Sequence, residues 1–172
     1  KFSNFRKTSK MISELNFEEF HDTLNKLTVE GTPSYKGSFF AFFTINFSDK
    51  PFYGFISKQE FEISKNSSIK LVPYTIRGNF KKTGDKTIVD YEIQPVKFGY
   101  YWIKALSIIF LVIGLIALFG VVSTFYHHGE ISPIVSVFFF TLFLSIFANI
   151  NLYLKKKNFE KLFLKKLRIN TV

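Results

Sequence analysis

Residues 105–125 read ALSIIFLVIGLIALFGVVSTF and residues 131–154 read ISPIVSVFFFTLFLSIFANINLYL, and neither run holds an Asp, Glu, Lys or Arg. A helix rises about 1.5 Å per residue, so each run reaches roughly 30 Å or more, the thickness of a bilayer's hydrocarbon core. Two such runs exceed what a small soluble core can bury. The second half of this 172-residue chain is therefore expected to be a transmembrane helical hairpin over 98–154, with spans at about 105–126 and 131–154. Between the runs lie His127, His128, Gly129 and Glu130. So short a connection makes the helices antiparallel neighbours, and Ser132 followed by Pro133 suits a first helical turn, where a missing N–H costs nothing.

Outward from the hairpin, the charge is sorted. Residues 1–96 carry 14 Lys/Arg against 11 Asp/Glu, whereas residues 97–172 carry 9 against 2. Most of the +10 net charge thus flanks the apolar runs, where membrane lipids are the expected partner and nucleic acid is not. The connecting turn has no Lys or Arg, while Lys97, Lys104 and seven residues from Lys155 to Arg168 lie outside it. That bias sets both flanks, and so both termini, on the cytoplasmic side. Lys97, Tyr100, Tyr101, Trp102 and Lys104 before the first span, and Lys155, Lys156 and Lys157 after the second, read as membrane-interface anchors. Gly114, Ala117 and Gly120 form a strip of small residues for close helix packing. The second helix, through Ser136, Ser145 or Ala148, is its expected contact, and homo-oligomerisation would use the same strip.

Upstream, residues 1–97 read as a cytoplasmic α+β domain: a small antiparallel sheet of five or six strands with one N-terminal helix. Asn16 followed by Glu19 has the spacing of a capping box, and Phe17, Phe20, Leu24 and Leu27 share one helical face, predicting a helix over 17–27. Strands are predicted at 38–47, 52–56, 61–65, 76–81 and 86–94, the last two joined by the turn Lys82, Thr83, Gly84, Asp85. The opening residues are basic without a following apolar stretch, so no secretory signal is expected; the chain opens on Lys, which puts its natural start at Met11 or upstream of Lys1. Downstream, the 155–169 segment KKKNFEKLFLKKLRI sets Phe159, Leu162, Phe163 and Leu167 against a run of Lys and Arg. It predicts a basic amphipathic tail helix, forming a region of its own at 155–172, whose apolar face meets the membrane interface or a partner's groove.

Chemistry-bearing residues are sparse. With no Cys there is no thiolate ligand or nucleophile. His127 and His128 beside Glu130 read as a polar turn, His21 as a surface residue, and Arg77 as solvent-exposed in its strand. Asp85, Asp90 and Glu92 point alternately and do not form a general acid/base pair. No enzyme, metal site or cofactor is expected.

The segment 54–95, GFISKQEFEISKNSSIKLVPYTIRGNFKKTGDKTIVDYEIQP, running on into the apolar helices, resembles a group of small uncharacterised bacterial membrane proteins. Phe61 and Ile63, Pro73, Gly78, and Gly84 with Thr87 carry the resemblance. It implies a β-rich domain ahead of a two-helix hairpin in a bacterial inner membrane. The expected function is that of a non-catalytic accessory or structural subunit of a larger membrane complex. The alternative is a ligand- or lipid-sensing β domain coupled to its hairpin, which requires a cavity between sheet and helix.

Overall fold

The computed structural model describes residues 9–32, 48–66, 72–128 and 134–170. The elements in chain order are β1 (Ser9–Ser13), α1 (Phe17–Leu27), β2 (Thr28–Glu30), β3 (Phe52–Ile56), β4 (Glu60–Lys65), β5 (Tyr74–Thr83), β6 (Lys86–Pro95), α2 (Lys97–His128), α3 (Ile134–Lys166) and β7 (Ile169–Asn170). The strand expected at 38–47 and the turn residues Gly129 and Glu130 lie outside the described residues. Two compact units result. One holds residues 1–100 together with 155–172, and the other holds residues 101–154.

The first unit is α+β, built on a seven-stranded sheet of order β2-β3-β4-β5-β6-β1-β7. The expected five or six antiparallel strands are corrected on two counts. Three short strands, β1, β2 and β7, join the sheet, and β2 lies parallel to β3, so the sheet is mixed. The β5–β6 pair runs from Tyr74 opposite Pro95 to Thr83 opposite Lys86, leaving Gly84 and Asp85 as a two-residue loop. Gly84 has φ 59°, a conformation its missing Cβ permits and one that short hairpin loops require. In β3, Gly54 is needed for another reason: a Cβ there would stand 2.1 Å from the Glu62 carbonyl oxygen of β4.

Helix α1 begins with both halves of the capping box. Asn16 Oδ1 accepts from the Glu19 N–H at 2.9 Å, and Glu19 Oε2 accepts from the Asn16 N–H at 3.3 Å. Its buried Phe20 meets Phe80 of β5 with ring centroids 5.0 Å apart. The same face of the sheet takes the end of α3. Phe163 is fully buried, with its ring 5.2 Å from Tyr91, 5.6 Å from Phe61 and 6.4 Å from Phe52. Phe159, Leu167 and Ile169 are buried with it.

The tail therefore differs from its expected place. The apolar face read as meeting an interface or a partner is spent on this chain's own core. Past the helix end, Arg168 takes a left-handed φ of 48° and the chain returns alongside β1, where Ser13 Oγ donates to the Leu167 carbonyl at 2.7 Å. The physical reason is that Phe52, Phe61 and Tyr91 present an aromatic sheet face, and burying Phe and Leu there removes more apolar area from water than half-immersion at a surface does.

The second unit consists of the apolar lengths of α2 and α3. Both helices are long and apolar enough to cross a membrane, and most of their side chains are not covered by the rest of the chain. Core helices of a soluble protein would be mostly buried.

Candidate functional site

The contact between α2 and α3 is polar at one end and close-packed in the middle. Ser107 and Ser145 are both buried, with their hydroxyl oxygens 3.1 Å apart, and Ser107 Oγ also lies 3.2 Å from the Ser145 carbonyl. Asn149, one turn beyond Ser145, donates through Nδ2 to Ser107 Oγ at 2.6 Å and to the Ser145 carbonyl at 2.9 Å. Its remaining group, Oδ1, accepts from Lys104 Nζ. Four side chains thus form one connected network across the hairpin, and each donation fixes the next partner's orientation. In the middle, Gly114 lies against Thr141, where a Cβ would stand 2.8 Å from Thr141 Oγ1. Thr141 directs its hydroxyl proton back to the Val137 carbonyl at 2.8 Å, so the oxygen facing Gly114 is satisfied within its own helix.

Of the small-residue strip, Gly114 and Ala117 are buried and Gly120 is half-buried. Of the contacts expected on the second helix, Ser145 is in the network, Ala148 is half-buried and Ser136 is exposed. Ser107, Thr141 and Asn149 escaped the sequence reading. Ser145 and Asn149 are four apart and so share a helix face, a usable signal only once the register with α2 is known.

Lys104 opposite Asn149, and Ser107 opposite Ser145, fix the antiparallel register of this unit. By that register Tyr101 and Trp102 stand level with Tyr153, and all three are exposed. Of the other anchors expected from sequence, Lys97 is exposed and Tyr100 half-buried, with its ring 5.8 Å from Tyr74. Lys104 lies one turn inside the level of Tyr101 and Trp102. Lys155 is half-buried, and Lys156 and Lys157 are exposed.

In the sheet unit two polar pairs stand out. Arg77 is not simply solvent-exposed: its guanidinium donates to Glu62 Oε2 through Nη2 at 2.7 Å and Nε at 3.1 Å. On the helix-covered face, the Tyr91 hydroxyl donates to Glu160 Oε1 at 2.9 Å. Burial first, and then this carboxylate, hold the phenol well above its ordinary pKa, because both disfavour the phenolate. Asn79 Oδ1 and Asp90 Oδ1, opposite each other on β5 and β6, are buried with no hydrogen-bond donor among the described residues. His21 lies against Asn25 at 3.2 Å and Asp22 at 3.7 Å. Among the described residues, no group of three or more His, Cys, Asp or Glu could hold a metal ion.

A β-rich domain followed by two long apolar helices, the architecture that the sequence resemblance implies, is present. No protein-family model matches the chain, and neither a curated protein nor a solved structure matches it.

Proposed function

We propose that this chain is a non-catalytic integral membrane protein, an accessory or structural subunit whose hairpin packs against a larger membrane protein complex. In this reading it lies in a bacterial inner membrane with both termini cytoplasmic. One observation carries the proposal. On α3, Phe139, Phe143 and Phe147 repeat every fourth residue on the side opposite Thr141 and Ser145, and they are 61%, 60% and 53% exposed. The Phe143 and Phe147 rings stack at 6.0 Å, and with Phe139 they form an exposed aromatic row. Lipid asks only for apolar surface, whereas stacked rings in a row suit a shaped groove on a protein.

The level of Tyr101, Trp102 and Tyr153 supports the membrane reading, because Trp and Tyr gather where hydrocarbon meets head groups. Nine of the chain's Lys/Arg follow residue 96 and none of them lies between the two runs, which supports the cytoplasmic placement of both flanks. Among the described residues, Phe20, Phe80, Phe61, Phe163 and Tyr91 pack ring against ring between the sheet and its helices. The depression near α1, at Phe17, His21 and Lys58, is open to solvent.

Extraction of the tagged chain from its native membrane in mild detergent, native-gel separation and mass spectrometry of the co-migrating band tests the proposal. A stoichiometric large complex is the expected result, lost when Phe139, Phe143 and Phe147 are changed together to Leu. A lone monomer would refute it.

A further inference from the structure

The network at Lys104 ends in a charge that no carboxylate among the described residues balances. The ammonium has three N–H donors, and Asn149 Oδ1 takes one of them. No carboxylate pairs with Lys104 among the described residues. Only two acids follow residue 96: Glu160, engaged by Tyr91, and Glu130, which is 26 residues away in sequence. Asn149 offers an amide dipole, not a counter-charge, and it is not free to turn away, since its Nδ2 is held by both Ser107 and Ser145.

The position makes this consequential. Lys104 is three residues past Tyr101, about 4.5 Å along the helix at 1.5 Å per residue, on the apolar side of the aromatic level. A cation there without a counter-ion is costly, and the phosphate layer is the source of anions within reach of a lysine near the interface. We infer that Lys104, oriented by Asn149, is a binding site for the phosphodiester of an anionic phospholipid head group, which receives the two remaining N–H donors at the end of the hairpin. The site differs from the exposed Lys156 and Lys157, which add to a diffuse surface potential. Lys104 is held in place by a fixed hydrogen-bond chain, so it discriminates one seated lipid from the bulk. This inference rests on the membrane reading above.

The test uses the full chain reconstituted in phosphatidylcholine bilayers containing a minor fraction of phosphatidylglycerol. Alkaline carbonate washing comes first: release of the protein would overturn the membrane reading, and this inference with it. For chain that stays, native mass spectrometry after gentle detergent release counts the phosphatidylglycerol retained. Wild type and Lys104→Arg are expected to keep one tightly held molecule that Lys104→Gln and Asn149→Leu lose, while Lys161→Gln keeps it. Equal retention by Lys104→Gln and wild type would overturn the inference, as would displacement of the retained phosphatidylglycerol by added inorganic phosphate, which would make the site one for free phosphate.

Discussion

Replacing Phe163 with Ala distinguishes two roles for the tail that its sequence alone leaves open. Phe163 is fully buried against Phe52, Phe61 and Tyr91, all on the helix-covered face of the sheet. Removing a ring from such a site forfeits its transfer free energy and leaves a cavity whose walls are held by β-strands, for a cost of about 3–5 kcal/mol. Domains are typically stable by about 5–15 kcal/mol, so the loss is a large fraction of the total and corresponds to a fall in unfolding temperature of about 10–25 °C. Total helicity is a poor readout, because α2 and α3 dominate it. Amide hydrogen exchange of β4, β5 and β6 in the detergent-solubilised full chain reads the sheet unit directly, and those strands should lose protection together. The neighbouring Lys161→Ala, at an exposed position, should change stability by no more than about 0.5 kcal/mol. If Phe163→Ala instead leaves strand protection unchanged while weakening attachment to lipid, the tail lies on the membrane and the argument fails.

Tyr91→Phe removes a hydroxyl that donates to Glu160 and should cost about 1–3 kcal/mol in urea unfolding of the sheet unit. Because the folded-state pKa of Tyr91 is raised above the ordinary 10.0, its contribution is present below pH 10 and declines as the pH rises beyond it. The variant should therefore show a shallower alkaline loss of stability than wild type. Gly54→Ala places a Cβ against the backbone of Glu62 and Ile63, which cannot yield without parting β3 from β4, so exchange protection of those two strands should fall selectively. Gly114→Leu drives a side chain into Thr141 and should lower the yield of disulfide cross-linking between Cys placed at Ser107 and Ser145, whereas Ile116→Leu, on an exposed face, should not.

The sequence is legible where local chemistry decides the structure. The Asn16 and Glu19 spacing marks the start of α1, Gly84 marks the β5–β6 loop, and Thr87, Val89 and Tyr91 alternate onto the buried face of β6. It is illegible where the partner is distant. β1 offers SKMIS, whose adjacent Met11 and Ile12 break any period of two, and β7 has only two residues. β2 pairs in parallel with a strand more than twenty residues away, a pairing that no turn announces. Phe159, Phe163 and Leu167 share a helix face whether that face meets lipid, a partner or a sheet, because periodicity reports that a face is apolar and not what covers it.

That last ambiguity bears on how the protein is made. The contact of Ser13 with Leu167 spans 154 residues, and every residue of both long helices lies between the two ends that it joins. Until residues 155–172 have been synthesised, the face formed by Phe52, Phe61 and Tyr91 has nothing of the tail to cover it, and an open aromatic face of that kind is prone to association. The sheet unit can therefore complete its core only after both apolar helices have been made. A chain ended at Leu154 should keep the hairpin's polar network but leave β4, β5 and β6 open to protease. If those strands stay as protected as in the full chain, the tail is dispensable to the core and the proposed order of folding is wrong.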